Sequence, residues 1–275
     1  IFIFVYFIFK IFKLKLISSS IEAIGHQILD LETYIQLENQ NKYKLLISTN
    51  KNYIGNRYFF NNYQKKKINC ITFQNKYLSS ILNYQKKFSS ISFNSFDYIT
   101  NERGIAFKTL KRKFAEGEFY KINEKDAQYG SNFLRDYNIG LNDKIILIHS
   151  RDSAFKPYDK ETFRNSSIET LKSSVEFLIK NNFKVIRIGH KGSLEVSFQD
   201  KIIDLTNNDL YDMDILSIYL SYKCYLYIGS CSGINALPAI FGKPLLTINR
   251  APIDVSLEIC SKGLSLPKLY KRNEK

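Results

Sequence analysis

Residues 225–242 read YLYIGSCSGINALPAIFG and constrain the fold more than any other stretch of the chain. An apolar run leads into small residues and then a helix-like segment, which predicts a strand, a turn and a helix in an α/β protein. The turn contains Gly229, Ser230, Cys231, Ser232 and Gly233. Their small side chains would let a phosphate or pyrophosphate approach backbone N–H groups near a helix start. An ordinary strand-to-helix connection explains the same residues equally well.

Two familiar phosphate-binding motifs do not describe this turn. No Gly-Lys-Ser/Thr follows it, so it is not a Walker loop, and its two glycines do not make a G-x-G-x-x-G dinucleotide fingerprint. Pro238 would delete a hydrogen bond inside a helix that began directly after the turn. We therefore expect the helix to start near Asn235, so that the N–H groups facing a ligand belong to residues 234–236.

Strands and helices alternate through the second half of the chain. Strands are predicted at 144–150, 184–189, 202–205, 225–229 and 244–249, and helices at 167–182, at 213–223 and after 233. Strands that are continuous apolar runs and are joined through helices indicate a parallel sheet with right-handed crossovers. The first half has helical spacing from Ile21, β-like runs at 43–48 and 68–73, and helices at 76–87 and 123–137. We predict an α/β protein divided into residues 1–140 and 141–275.

The composition favours an anionic partner. Of 275 residues, 40 are Lys or Arg and 26 are Asp or Glu, which gives a net charge of +14. Nucleotides, phosphorylated sugars and acidic lipid surfaces all suit such a charge. The lysine-rich runs at 65–67 and 111–113 are short and typical of solvated faces, and we expect no nucleic-acid partner. The four cysteines lack C-x-x-C and zinc-ligand spacing, which fits reduced thiols in the cytoplasm.

The first nine residues, IFIFVYFIF, are wholly apolar and precede Lys10, Lys13 and Lys15. Nine residues cannot span a bilayer, which takes about 20. Because the chain starts at Ile1 without a methionine, we expect residues 1–16 to be either the end of a truncated membrane anchor or a buried first strand. The anchor interpretation predicts peripheral contact with an anionic membrane, at the inner face of the cytoplasmic membrane.

Polar residues follow the predicted strands at their carboxyl ends, where open α/β sheets bind ligands. The strand at 144–150 delivers His149, Arg151 and Asp152, and the next one delivers Arg187 and Gly189. Guanidinium groups can neutralise a pyrophosphate because their paired N–H donors match phosphate oxygens. The predicted diphosphate-binding residues are Arg151, Arg187, Gly229, Ser230, Ser232, Gly233 and Ile234, and the further candidates at this edge are His149, Arg164, Asn165 and Gly189.

For three candidate residues, Arg164, Asp152 and His26, the sequence leaves two interpretations open. Arg164, just before a capped helix, either turns its guanidinium toward the same edge or lies in a surface loop. Asp152 either accepts a proton or pairs with Arg151. His26 follows Gly25 at the head of the first helix, where a neutral imidazole is a competent general base near pH 7, and a structural histidine is the alternative.

With these residues, the chain resembles a bacterial family of surface-carbohydrate glycosyltransferases with the two-domain GT-B architecture. The resemblance is carried by Gly25-His26, by His149-Ser150-Arg151-Asp152-Ser153, by Arg164-Asn165, by Ile186-Arg187-Ile188-Gly189, by Met213-Asp214, and by the turn from Ile228-Gly229 to Ser232-Gly233. It covers most of the chain and is stronger after Lys144. The implied fold is two Rossmann-like domains with parallel sheets flanked by helices.

The resemblance also implies a chemistry. A nucleotide diphosphate sugar would bind the C-terminal domain, the acceptor would meet the N-terminal domain, and neither a cofactor nor a metal ion would be needed. The pair His149-x-Arg151 is similar to the H-x-R element of certain fucosyltransferases, where the arginine contacts the donor's diphosphate. Ala154 stands where that element has its last Asp, so a GDP-fucose donor is not implied. Asp212-Met213-Asp214 is the one D-x-D match and falls in a predicted helix.

We therefore expect a glycosyltransferase that transfers a sugar to a surface polysaccharide or a lipid-linked glycan. Arg151 and Arg187 would stabilise the departing diphosphate, and His26 or Asp152 would deprotonate the acceptor. A polysaccharide pyruvyltransferase-like enzyme is one alternative, since it would also need a basic cleft. A non-catalytic basic protein that binds nucleic acid is the other.

Overall fold

The computed structural model describes residues 2–17, 21–37, 43–48, 54–73, 92–93, 120–154, 162–251 and 262–270. The chain divides into two compact units, Ile1–Lys113 and Phe114–Lys275. Each unit contains one sheet, and every described pair of neighbouring strands is parallel. The α/β class with parallel sheets is thus confirmed. The helix predicted at 76–87 lies outside the described residues.

The first unit is built on a four-stranded sheet with the order β3-β2-β1-β4. Its elements are α1 (Phe2–Ile11), β1 (Leu14–Ile17), α2 (Ile24–Leu37), β2 (Lys44–Ser48), three short helical turns (Arg57–Phe59, Phe60–Gln64 and Lys65–Lys67), β3 (Cys70–Phe73) and β4 (Ser92–Phe93). The apolar spacing of α2 places Leu31 and Tyr34 in one buried cluster with Leu45 and Ile47 of β2. The unit's core therefore lies between α2 and the sheet.

The apolar run at the N-terminus forms the helix α1, so the buried first strand that the sequence allowed there is wrong. Phe9 packs with Leu16 of β1, while the opposite side of the helix is exposed. Lys13 adopts the left-handed region with φ of 49°, which ends the helix and lets β1 begin at Leu14. Among the described residues, no helix is long and apolar enough to cross a membrane.

The second unit is built on a six-stranded sheet with the order β10-β9-β8-β5-β6-β7. Its elements are α3 (Glu124–Asp136), β5 (Ile145–His149), α4 (Lys172–Lys180), β6 (Lys184–Arg187), β7 (Ile203–Asp204), α5 (Met213–Lys223), β8 (Leu226–Ser230), α6 (Ala236–Ile240), β9 (Leu245–Arg250) and β10 (Gly263–Pro267). Strands β5, β6 and β7 lie on one side of the sheet and β8, β9 and β10 on the other. This is the Rossmann-type strand order.

Both faces of this sheet are buried at its central strands β5 and β8. Successive residues of a strand point to opposite faces, and Leu147 accordingly belongs to one core cluster while Ile146 and Ile148 belong to another. All five residues of β5 are buried. A strand covered on both faces is apolar over most of its length, and β5 and β8 were accordingly predicted to within one residue. β10 was not predicted, and α4 is preceded by a 3-10 turn, Ile168–Leu171.

Helix α3 belongs to the second unit, although the predicted domain boundary at 140 placed it in the first. It packs on α5, where a Cβ on Gly130 would overlap the ring of Tyr219. Phe133 and Leu134 of α3 share a buried cluster with Leu216 of α5. This close helix packing explains why the units divide before α3 rather than after it.

Candidate functional site

β5 and β8 are neighbours at the centre of the second sheet, at the point where the strand order reverses. His149, the last residue of β5, pairs with Gly229 of β8. In open parallel sheets the crossovers diverge at such a reversal and leave a crevice at the carboxyl ends of the strands. The segments that follow β5 and β8 therefore begin side by side at this edge.

The loop after β5 is fixed by serine hydroxyls on both sides. The N–H of Arg151 donates to Oγ of Ser230, 2.6 Å away, and the Ser230 side chain is fully buried. Oγ of Ser150 donates to the carbonyl oxygen of Ser166 at 2.6 Å, and the N–H of Ser166 donates to the carbonyl oxygen of Arg151 at 3.0 Å. The Ser230 hydroxyl, predicted to bind a diphosphate, thus holds the backbone of the predicted diphosphate-binding arginine.

Arg164 lies at the turn that follows β8. Its Nη2 donates to the carbonyl oxygen of Cys231 at 3.1 Å. Arg164 ends a short 3-10 turn, Thr162–Arg164, so this contact joins two loops that are 67 residues apart in the chain. Of the two interpretations that the sequence left open, the guanidinium turned toward this edge is the one observed.

The loop that carries Arg164 is held by a residue that sequence reasoning missed. Nζ of Lys268 donates to the carbonyl oxygens of Phe163 at 2.9 Å and Asn165 at 2.6 Å. Asn165 therefore contributes its backbone to this contact. Lys268 follows the end strand β10, and nothing in its sequence neighbourhood indicates a partner more than a hundred positions earlier.

Gly229 is required by packing within β8. A Cβ at this position would lie 2.5 Å from the hydroxyl oxygen of Tyr227, a residue whose ring is fully buried. The Tyr227 hydroxyl donates to Oδ1 of Asn235 at 2.9 Å. The absent side chain of Gly229 thus makes room for a tyrosine that ties the strand to the far end of the turn.

The turn itself supplies fewer backbone donors than predicted. Gly233–Asn235 forms a 3-10 turn, and α6 begins after it at Ala236 with Asn235 in the N-cap position, which confirms the expected helix start near Asn235. The N–H groups of Asn235 and Ala236 donate to the carbonyl oxygens of Ser232 and Gly233. Those two amides are therefore engaged within the turn, whereas the N–H groups of Gly233 and Ile234 make no hydrogen bond among the residues that the structure describes. Ser232 precedes the turn in an extended conformation and its side chain makes no capping bond.

His149 is a buried neutral base beneath this edge. Its Nδ1 lies 3.1 Å from the carbonyl oxygen of Ile188; a carbonyl can only accept, so Nδ1 carries the hydrogen and Nε2 is an acceptor. Nε2 is buried and has no hydrogen-bond partner among the described residues. Burial lowers the pKa of His149 to about 4, and the charges of Asp152, Arg187 and Arg151 act on it as smaller effects. His149 is therefore uncharged at neutral pH.

Arg187 lies in the interior, in contrast to its predicted contact with a diphosphate. Its Nη1 donates to Oδ2 of Asp204 at 2.8 Å and to the carbonyl oxygen of Leu194 at 2.9 Å. The two side chains of the ion pair are 4% and 8% exposed, and Arg187 pairs with Asp204 in the β6–β7 ladder. The arginine at the end of β6 thus neutralises a buried carboxylate on the next strand.

Gly189 and Asp152 have local structural contacts. A Cβ on Gly189 would lie 3.0 Å from Cγ2 of Thr206 and 3.7 Å from Nδ1 of His149, so the glycine permits close packing over the imidazole. Oδ1 of Asp152 accepts the N–H of Ala154 at 3.0 Å, which forms a turn within its own loop. Its second carboxylate oxygen is not used by that bond.

His26 belongs to the first unit and lies in the first turn of α2. Its side chain is 46% exposed, and its Nδ1 is 3.9 Å from Oδ2 of the fully buried Asp30 one turn later. That separation is too long for a hydrogen bond, but it places a carboxylate behind the imidazole. An exposed imidazole backed by a buried carboxylate has the chemistry of a general base, and the catalytic role of His26 stays a prediction.

The start of α2 is positioned by glycine and amide contacts that carry no recognisable sequence motif. A Cβ on Gly55 would lie 2.5 Å from Cα of Ile24, so the backbone of this loop lies directly against the helix start. Oε1 of the buried Gln27 accepts the N–H of Asn56 at 2.6 Å, and its Nε2 donates to Oε1 of Gln64 at 2.9 Å. These contacts fix the helix turn that bears His26.

Within the described residues, no group of three His, Cys, Asp or Glu side chains is arranged to hold a metal ion. Near the ends of β5 and β8 the structure places the backbone of Arg151, the guanidinium of Arg164 and the carboxylate of Asp152.

Comparison with known proteins establishes the fold. The sequence matches no protein-family model and has no significant match among curated proteins. A glycosyl transferase family 9 structure from Veillonella parvula matches with a TM-score of 0.60 and 10% identity over 93% of this chain and 86% of that chain. The ADP-heptose LPS heptosyltransferase II of E. coli matches with a TM-score of 0.56 and 10% identity over 92% and 90%. The chain thus has a GT-B-like fold of two Rossmann-like units.

Proposed function

We propose that the protein is a glycosyltransferase that transfers a sugar from a nucleotide diphosphate sugar to a glycan acceptor. One observation carries this proposal: two arginine-bearing loops meet at the carboxyl ends of β5 and β8. Arg151 is held there through its N–H on Ser230, and Arg164 through its guanidinium on Cys231. Both arginines and the N–H groups of Gly233 and Ile234, which make no hydrogen bond among the described residues, lie in the segments that follow β5 and β8, where this class of sheet binds its ligands.

The fold supports the same proposal. The two similar structures are named as sugar transferases, and one of them is named for an ADP-heptose donor. A diphosphate is the part of such a donor that needs positive charge and N–H donors, and guanidinium groups match its oxygens bidentately. We propose a surface polysaccharide or a lipid-linked glycan as the acceptor, in keeping with the sequence resemblance.

In the proposed reaction, catalysis comes from charge stabilisation. Negative charge grows on the departing diphosphate as its bond to the sugar breaks, so groups that bind that charge more tightly in the transition state accelerate the step. Arg151 and Arg164 are assigned this role, and Arg187 is not, because its guanidinium already pairs with Asp204. The two guanidinium groups neutralise the leaving group, so the proposed reaction requires no metal ion and no cofactor.

We assign to His26 the role of general base, which removes the proton from the acceptor hydroxyl. Its exposed imidazole can receive a proton, and the buried carboxylate of Asp30 would stabilise the resulting imidazolium. Asp152 is the second candidate because one of its carboxylate oxygens is not committed to the turn with Ala154. The two assignments differ in the unit of the protein that supplies the base.

Calorimetric titration of the full chain with ADP, GDP, UDP and CMP, and with phosphoenolpyruvate, tests the donor class. We expect saturable binding of one nucleoside diphosphate and none of phosphoenolpyruvate. Arg164→Ala should weaken that binding, whereas the matched control Lys191→Ala, which removes an exposed lysine paired with Asp209, should not. Equal affinity of the two variants, or absence of nucleotide binding, would refute the site.

Turnover separates the catalytic roles. With an accepted donor, loss of either loop arginine should raise the barrier by about 2–4 kcal/mol. His26→Ala should lower kcat by roughly 10²- to 10⁴-fold while leaving the Kd for the nucleoside diphosphate unchanged. If Asp152→Asn has that effect and His26→Ala has none, the base is Asp152. Unchanged rates in the presence of a chelator are expected from a metal-independent transferase.

A further inference from the structure

Helix α1 carries an unusually apolar exposed surface. Its outward side chains include Ile3 at 75% exposure, Phe7 at 57% and Ile11 at 72%, which are spaced one turn apart along the helix. Phe4 and Phe12 extend this stripe and are also largely exposed. Contiguous apolar patches of this kind are uncommon on soluble proteins and mark interaction surfaces.

This exposed stripe does not contribute to the core of the first unit. The inward side of the helix packs through Phe9 on Leu16, with Val5 and Tyr6 beside them. The turn at Lys13 is closed by its own N–H on the carbonyl oxygen of Lys10, and its carbonyl oxygen accepts the N–H of Lys44 on β2. The helix is therefore attached to the sheet at its end and along one side, and its apolar stripe is presented by a folded scaffold.

Positive charge borders the stripe. Lys10 and Lys13 are exposed at the end of the helix, and the whole chain carries a net charge of +14. Aromatic and aliphatic side chains on one face with lysines beside them are the pattern of helices that lie in a membrane interface. A second copy of the chain would bring its own positive charge to the same place, which disfavours self-association and favours an anionic surface.

We propose that the outward stripe of α1 inserts into the interface of a bilayer that contains anionic lipid, with Lys10 and Lys13 contacting the headgroups. This goes beyond the proposed transferase activity, since neither donor binding nor sugar transfer requires it. The proposal gives a binding partner, the anionic bilayer, to the outward stripe of α1, which does not pack against the described core of the first unit. It also places the first unit, which bears His26, next to the bilayer.

Vesicle flotation tests the proposal, with phosphatidylcholine alone and with added phosphatidylglycerol. We expect the full chain to bind the anionic vesicles and to dissociate as salt is raised. Phe4→Ser with Phe7→Ser should lower the bound fraction about tenfold or more, since two large apolar side chains no longer leave water. Lys10→Gln with Lys13→Asn should remove the preference for phosphatidylglycerol. Asn is chosen at position 13 because it tolerates positive φ.

Leu210→Ser with Leu269→Ser is the matched control, since both leucines are highly exposed in the second unit. This control should bind vesicles as the unmodified chain does. Binding of the phenylalanine variant at the unmodified level, or no binding by the unmodified chain, would overturn the proposal. A change of sedimentation coefficient in the phenylalanine variant without vesicle binding would overturn it in favour of self-association. Nucleotide affinity measured on the same variants should stay constant, so this result is independent of the proposed activity.

Discussion

Lys268 donates to the carbonyl oxygen of Asn165 across 2.6 Å, joining the chain after β10 to a loop 103 positions earlier. The same ammonium group reaches the carbonyl oxygen of Phe163. Arg164, which lies between these two residues, is therefore held from both sides while its guanidinium contacts Cys231. Lys268 is thus a positioning residue for Arg164.

Lys268→Met should loosen this loop and lower affinity for the nucleoside diphosphate by roughly tenfold, since hydrogen bonds to a charged group are lost. The combination with Arg164→Ala should be less harmful than the sum of the two single effects, because both act through the same guanidinium. Calorimetric titration of the four proteins measures this. Lys201→Met, which removes an exposed ion pair with Glu176, is the control, and additive losses would show that Lys268 acts elsewhere.

Arg187→Met should destabilise the second unit by about 3–5 kcal/mol, because the buried Asp204 carboxylate would lose its counter-charge. Asp204→Asn in the same chain should recover most of that loss, since the amide needs no counter-charge and can still accept from Thr206. Urea unfolding measures both free energies. Affinity of the folded single variant for the nucleoside diphosphate should be unchanged, and a large loss of affinity would restore the role first predicted for Arg187.

Gly229→Ala should cost about 1–3 kcal/mol of unfolding free energy, because the new methyl group would overlap the hydroxyl of Tyr227. Tyr227→Phe, which removes the hydrogen bond to Asn235, should cost about 1 kcal/mol. Gly140→Ala is a suitable control, as its Cβ would meet Asp143 only at an ordinary 3.6 Å. Equal stability of the Gly229 and Gly140 variants would exclude the packing explanation.

His149 should make stability depend on pH. Its pKa is about 4 in the folded chain and near 6.5 when exposed, so between these values the unfolded state binds more protons. The contribution of His149 to the unfolding free energy is fully present above the pKa that this histidine has in the unfolded chain. It falls by roughly 1.4 kcal/mol per pH unit as the pH drops toward 4. The difference in unfolding free energy between the unmodified chain and His149→Gln, measured across that range, should show this slope. A constant difference would mean that His149 titrates normally.

The central strands could be predicted from the sequence because burial on both faces favours apolar residues at most of their positions. Burial on both faces does not, however, determine which residues of two neighbouring strands pair with each other. Arg187 and Asp204 stand on two predicted strands, yet only the β6–β7 ladder reveals that they are direct partners. A charged residue at a strand end is consistent with a ligand or with a neighbour, and the distinction requires the tertiary structure.

The candidate site was predictable where its members follow strands and hidden where they do not. Arg151 follows β5 and the stretch at 229–233 contains the end of β8, so their meeting at one edge could be inferred from topology alone. Lys268 follows a strand that was not predicted, and Gly55 acts through close backbone contact with Ile24. Neither kind of contact leaves a periodic or spaced pattern in the sequence.

The hydrogen bond between Arg151 and Ser230 spans 79 positions of the chain. Loop closure over such a distance precedes any gain from the contact, so long-range strand pairing is the slow part of assembling a sheet like this one. In a chain in which β5 and β8 have not yet paired, the residues of the candidate site are present but are not held together, so the site has not formed. Nucleotide binding during refolding would therefore report the moment at which the two halves of the sheet join.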